Sequence, residues 1–201
     1  MKTTKKHVIT TLAVALGLAT IITLKTTAVS ATTATSKEVP IYRLYNDKTG
    51  EHLFTSSLYE AEVLYTKSWT YENIGWIAPS TGKPVYRLYN PTLHNHLYTT
   101  DTYEVKVLTT RQGWVTDNNG KPLFYSGGNN KVYRLYNPTS TQHLLSTDTY
   151  EYNVLGQHGW NKEGVKLYDI GQPTSAQIKN AQNAVTAYWN LTHKDKNPFG
   201  F

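Results

Sequence analysis

The chain has 201 residues, with 20 Lys and Arg against 14 Asp and Glu, a formal charge of +6, no cysteine, 16 tyrosines and 5 tryptophans. Without cysteine there are no disulfide staples and no thiolate metal sites, so a hydrophobic core alone must hold the fold. Lys2, Lys5, Lys6 and Lys25 account for most of the excess charge, and no basic run remains beyond them, which removes the case for a nucleic-acid partner.

The basic start, the apolar run Val8 to Leu24 and the small residues Ala28-Val29-Ser30-Ala31 read as a signal peptide over 1–31, followed by a linker over 32–39. The expected product is exported, with no stable transmembrane segment in the mature chain.

From residue 40 one motif recurs: Ile41-Tyr42-Arg43-Leu44-Tyr45-Asn46, Val85-Tyr86-Arg87-Leu88-Tyr89-Asn90 and Val132-Tyr133-Arg134-Leu135-Tyr136-Asn137. Its alternating, β-branched and aromatic composition predicts a strand. Turn formers follow, twice with Pro after the Asn, and a second strand returns through His52-Leu53-Phe54-Thr55, His96-Leu97-Tyr98-Thr99 and His143-Leu144-Leu145-Ser146. Each unit therefore begins as a β-hairpin.

Helix starts come next, at Ser57-Leu58-Tyr59-Glu60, Asp101-Thr102-Tyr103-Glu104 and Asp148-Thr149-Tyr150-Glu151. They read as capping boxes, with each glutamate reaching back to the cap's own N–H. Gly113-Trp114 and Gly159-Trp160 supply left-handed helix ends, which Ser68-Trp69 does less well. Closing strands are expected at Ile74-Gly75-Trp76-Ile77, Leu123-Phe124-Tyr125 and Val165-Lys166-Leu167-Tyr168. Beyond Gly171 the repeat stops, and Thr174 or Ser175 caps a helix running to about Asn190, with Ile178, Ala181, Val185 and Tyr188-Trp189 on one stripe.

The expected fold class is mainly β: a pseudo-threefold, β-trefoil-like domain over 40–171 (units 40–83, 84–130 and 131–171), each unit carrying a short helix. A C-terminal helix and tail over 172–201 complete the chain. A propeller is the rival, although blades of this length usually number four or more.

The string Tyr-Arg-Leu-Tyr-Asn, then His, Thr, Glu, Leu and Gly-Trp, resembles the repeat of a bacterial domain family of unknown function, DUF5648. The resemblance covers about residues 40–171. It implies an extracellular module of the kind appended to cell-wall hydrolases in lactobacilli and enterococci, cell-wall associated, with a role in binding wall glycan. Departures from the pattern, such as Asn118-Asn119-Gly120-Lys121-Pro122 in the second unit, imply that the units differ in competence.

For sugar the chemistry asks for exposed aromatic faces flanked by amides, carboxylates and hydroxyls. Trp76, Phe124 and Tyr168 in the closing strands, Asn46, Asn90 and Asn137 in the turns, and His52, His96 and His143 are the candidate ligand-binding residues. Trp69, Trp114 and Trp160 are read as core. Arg43, Arg87 and Arg134 either pair with the helix glutamates or contact an acidic wall polymer. The three histidines could in principle share a metal, but hydrogen bonding to neighbours is the preferred account, so neither a metal nor a cofactor is expected. No nucleophile triad, zinc-protease spacing or phosphate-cradling loop is visible, and a catalytic role is not expected. The expected partner is a cell-wall or cell-surface glycan; an antibacterial, bacteriocin-like protein acting through its last helix is the alternative, and a wall hydrolase the third.

Overall fold

The computed structural model describes residues 37–194. The leader and the last seven residues of the tail lie outside the described residues.

Each unit is an antiparallel sheet with its first strand in the middle, three-stranded in the first and third units and four-stranded in the second. Strand β1 (Glu38–Asn46) lies between β2 (Glu51–Thr55) and β3 (Thr70–Pro79). In the second unit β4 (Lys83–Asn90) pairs with β5 (Asn95–Thr99) and, on its other edge, with the short β6 (Val115–Thr116) and β7 (Phe124–Ser126). In the third, β8 (Asn130–Tyr136) lies between β9 (His143–Ser146) and β10 (Asn161–Asp169). Helices α1 (Leu58–Thr66), α2 (Thr102–Arg111) and α3 (Thr149–Gln157) join second strand to third, and α4 (Ser175–Thr192) follows the last sheet. Among the described residues the fold is thus mainly β, with three antiparallel sheets and four α-helices.

The hydrogen-bonded ladders stay within the units. Between units the backbone bonds include the Ile77–Gly171 bridge and Gly127 N–H to Tyr168 O at 3.1 Å. Side chains join the sheets instead. One core cluster takes Ile41, Val85 and Val132 from the first strands, Phe54, Tyr98 and Leu145 from the second, and Trp76, Phe124 and Leu167 from the third. At roughly 2 kcal/mol for each large side chain removed from water, this shared centre outweighs any contact elsewhere in the fold. Tyr98 ties it across units, because its hydroxyl accepts from Phe54 N–H at 2.7 Å and donates to Phe54 O at 3.0 Å.

Register settles which closing-strand residues face inward. Ile41 is opposite Trp76, Val85 opposite Phe124 and Val132 opposite Leu167. The third-unit counterpart of Trp76 is therefore Leu167, and Tyr168, one residue on, points away and is 44% exposed.

Helix ends follow the capping chemistry only in part. Ser57, Asp101 and Asp148 accept from early helix N–H groups. The return bonds expected from Glu60, Glu104 and Glu151 are not made, because their carboxylates go to arginines of other units. At the far ends Gly113 and Gly159 sit at φ +72° and +86°, and Ser68 is forced to +69°. A Cβ in that region crowds the next carbonyl.

Helix α4 is capped by Thr174 and Gln177 in a reciprocal box, and it buries Ala181 and Val185 on the first unit. Tyr188 meets Tyr59 of α1 edge to face, with ring centroids 5.9 Å apart. Among the described residues no helix is long and apolar enough to cross a membrane.

Candidate functional site

The arginines of the repeated motif close the three units on one another. Arg43 donates to Glu151 through Nη1 at 3.0 Å and Nη2 at 2.9 Å, Arg87 to Glu60 at 3.1 and 2.8 Å, and Arg134 to Glu104 at 3.1 and 2.7 Å. The first unit thus reaches the third, the second the first, and the third the second. Each guanidinium also pairs within its own unit, with Glu72, Asp117 and Glu163 respectively. Burial opposes charge at Glu104 and Glu151, but hydrogen bonds and charge from Arg134 and Arg43 outweigh it and hold both carboxyls below the usual range. With two carboxylates each and exposures of 6% and 2%, Arg87 and Arg134 have nothing left for an acidic polymer, and that alternative is set aside for them.

The candidate sugar platforms also change. Trp76 is 1% exposed and Phe124 4%, so both are core, because their register puts them opposite Ile41 and Val85. Asn46, Asn90 and Asn137 build turns: Asn46 Oδ1 accepts from Lys48 N–H, that of Asn90 from Thr92 and Leu93, and that of Asn137 from Thr139 and Ser140.

The histidines sit directly across the hairpins from Tyr45, Tyr89 and Tyr136, with ring centroids 4.7, 4.9 and 4.8 Å apart. Burial, then the nearby Arg43 and Arg134, pushes His52 and His143 down to about 4. Both are therefore neutral at ordinary pH. Among the described residues no three His, Asp or Glu side chains are placed to share a metal.

His96 differs through the residue before each histidine. Glu51, Asn95 and Gln142 are all buried, and each points into the next unit: Glu51 Oε1 lies 2.6 Å from His96 Nδ1, Asn95 Nδ2 donates to Thr141 O, and Gln142 Nε2 donates to Thr49 O at 3.4 Å. Only Glu51 of the three is ionisable, and it meets the next unit's histidine. His52 and His143 leave Nδ1 buried without a partner.

These groups line a cleft of about 510 Å³ between the first and second units. Its walls are Trp69, Thr49 and Glu51 on one side and Tyr89, His94, His96, Val115, Thr116 and Asp117 on the other. His94 holds a left-handed φ of +52° where the first unit has Gly50, and its Nδ1 lies 3.2 Å from the Tyr89 hydroxyl. Asp117 stands where the closing strand breaks into a left-handed turn at Asn118, Asn119 and Gly120. Burial opposes its charge too, but Arg87 and the Asn118 N–H hold its carboxyl below the usual range.

The family description "Domain of unknown function (DUF5648)" matches residues 4–122 and 40–170. The chain belongs to this family. No curated protein and no solved structure matches it. The DUF5648 membership brings no activity with it, so any function has to be argued from the side chains that the fold assembles.

The core reading holds for the three tryptophans unequally: Trp114 is 6% exposed, while Trp69 and Trp160 pack on core clusters but stay partly buried, and Trp69 also lines the open cleft. No neighbour marks it, since Trp160 follows a capping glycine and is partly buried too. A second hollow of about 650 Å³ lies between α4 and the first unit, lined by Tyr65, Tyr71, Gln182, Asn183 and Asn190 among others. It lacks the carboxylates and imidazoles that the inter-unit cleft brings together.

Proposed function

We propose that this chain is an exported, non-catalytic binding module for cell-wall or cell-surface carbohydrate, and that the cleft between its first two units is the binding site. One observation carries the reading: the partly buried indole of Trp69 and the Tyr89 ring line one cleft with Thr49, Glu51, His94, His96, Thr116 and Asp117. Aromatic faces cover pyranose C–H surfaces while carboxylates, hydroxyls and imidazoles take the sugar hydroxyls. The finer architecture in this proposal is a pseudo-threefold, β-trefoil-like ring. The cyclic arginine–glutamate pairs and the core shared by three equivalent strand sets support it.

A membrane-acting role for α4 is the weaker reading, since Ala181 and Val185 of its apolar stripe are buried and the helix packs on α1 and β3 of the first unit. The binding reading is tested by sedimentation with purified cell walls and by a glycan array. Wild type is expected to bind and Trp69→Ala to lose binding while still folding, with a cooperative unfolding transition at a lower midpoint. Failure of wild type on both walls and array overturns the proposal.

A further inference from the structure

Asp169, at the end of β10, is a buried acid that the arginine–glutamate ring does not use, and it is 0% exposed. Register places it opposite Asn130, as Ala78 is opposite Val39 and Ser126 opposite Lys83. Each of these partners stands two residues before the first apolar residue of the repeated motif, so Ala78, Ser126 and Asp169 are equivalent. Ser126 satisfies its hydroxyl on the third unit, donating to Tyr168 O at 3.3 Å and accepting from Tyr168 N–H at 2.8 Å. Asp169 does not reach that state. Its Oδ1 accepts from Asn130 Nδ2 at 2.9 Å, while Oδ2 is buried without a partner. Burial raises its carboxyl above the usual range in spite of the hydrogen bonds from Asn130 and the Gly171 backbone. An unpaired buried acceptor destabilises a fold, and alanine or serine in the same place avoids it. The carboxylate therefore calls for a donor from outside the chain.

Asp169 also lines a hollow of about 430 Å³, between the start of β8 and the approach to α3, together with Asn130, Lys131, Tyr133, Thr147 and Gln172. The charges of Lys131 and Asp169 offset each other, which favours an uncharged ligand. Amides and hydroxyls donate and accept, as the alcohol groups of a sugar do, whereas a carboxylate oxygen only accepts. The Tyr133 ring is held by stacking on Tyr152, with centroids 4.4 Å apart, and gives the hollow one rigid apolar wall.

We propose that this hollow is a second saccharide site, in the third unit, for an uncharged pyranose whose hydroxyl donates to Asp169 Oδ2 directly or through one water. It stands apart from the inter-unit cleft, since the hollow is at the start of β8 and the cleft takes Tyr89 from the end of β4, the opposite end of an equivalent strand. With one aromatic ring against Trp69 and Tyr89 in the cleft, it is the weaker site and does not by itself retain the chain on walls.

The test is NMR titration of the ¹⁵N-labelled full chain with the methyl glycosides of glucose, galactose, mannose and N-acetylglucosamine, read at the side-chain amide signals of Asn130 and Gln172. At least one of the four is expected to shift these signals. Asp169→Asn keeps the oxygen to which Asn130 donates and puts an N–H group in place of Oδ2. Affinity should then fall at least about tenfold, as for the loss of a hydrogen bond to a charged group, while the thermal midpoint holds or rises. Trp69→Ala should leave the response of these signals unchanged. A response in Asp169→Asn equal to that of wild type would overturn the assignment. Loss of the response in Trp69→Ala would place the sugar in the cleft alone, overturning the second site and leaving the carbohydrate reading standing. No shift with any of the four would overturn the second site as well, and sedimentation with walls then judges the first cleft separately.

Discussion

The clefts between units one and two and between units two and three are built from the same parts but differ in what they leave open. Each takes a tryptophan from one unit and a tyrosine–histidine stack from the next. In the first, Trp69 is half-buried and the cleft holds about 510 Å³. In the second, Trp114 meets His143 edge to face at 6.2 Å, Leu93 stands in the place of Thr49, and about 280 Å³ remains. The third unit's tyrosine–histidine pair thus serves packing, and the second unit's pair serves a surface. Repetition supplied equivalent places, and of these two the substitutions at the turn and at the residue before the histidine left the first the more open.

The sharpest way to break this comparison is at the arginines. Arg134 is 2% exposed and Arg43 carries a side-chain exposure of 19%. Arg134→Leu strands Glu104 and Glu163 and should cost about 3 kcal/mol, the lower end of the range for broken buried pairs because both acids are partly exposed. Arg43→Leu should cost roughly half as much. Thermal or urea unfolding of the two variants checks the order; equal losses would mean that the pairs do not differ in burial as described.

Next come the tryptophans. Trp114→Ala should destabilise by about 3 kcal/mol or more, and Trp69→Ala by about 1–2 kcal/mol, since less of its surface is buried. Binding should respond in the opposite order, lost in Trp69→Ala and retained by whatever Trp114→Ala protein remains folded.

Acid should act through the packed histidines. His52 and His143 have folded values near 4 against 6.5 in the unfolded chain, so between these values the unfolded state binds more protons. Stability is then complete above about pH 6.5 and is lost as the pH falls towards 4, on the order of 2 kcal/mol for each histidine. Glu104 and Glu151, held low by their arginines, extend the loss further down, while Asp169, raised by burial, opposes it. Unfolding midpoints across this range should fall with acid, and His143→Gln should flatten the slope.

The smallest effect is a gain. Ser68→Gly relieves a left-handed φ of +69° and should stabilise by about 0.5–1 kcal/mol. The same variant tests whether the strained cap sets the angle of Trp69, because glycan binding would then weaken as stability rises.

What could be read in the sequence was what is local. Hairpins, helix starts, the glycine caps and the α4 stripe all follow from residues within a few positions of one another. Pairing of the motif arginines with the helix glutamates could be read from the residue types; what could not be read is that each partner comes from another unit, as when Glu60 meets Arg87. Nor does the chain show which closing-strand aromatics face inward: β-bulges between Ile41 and Tyr42 and between Val165 and Leu167 shift the pairing, so that Trp76 turns into the core while Tyr168 stays on the surface. The cleft itself joins Thr49 to Asp117, and nothing along the chain announces that approach.

The arginine–glutamate pairs run from the first unit to the third, from the third to the second and from the second to the first, so the ring has no beginning. The chain also returns to its first strand where the repeats stop: Gln177 at the start of α4 donates to Glu38 at the start of β1, at 2.9 Å. Chain order is therefore incidental to the assembly. A circular permutant opened in the turn around Ser80–Gly82, with the old ends joined by a flexible linker long enough to run back along α4, should regain the same three-unit closure, and a gene for one unit deleted from the middle should not.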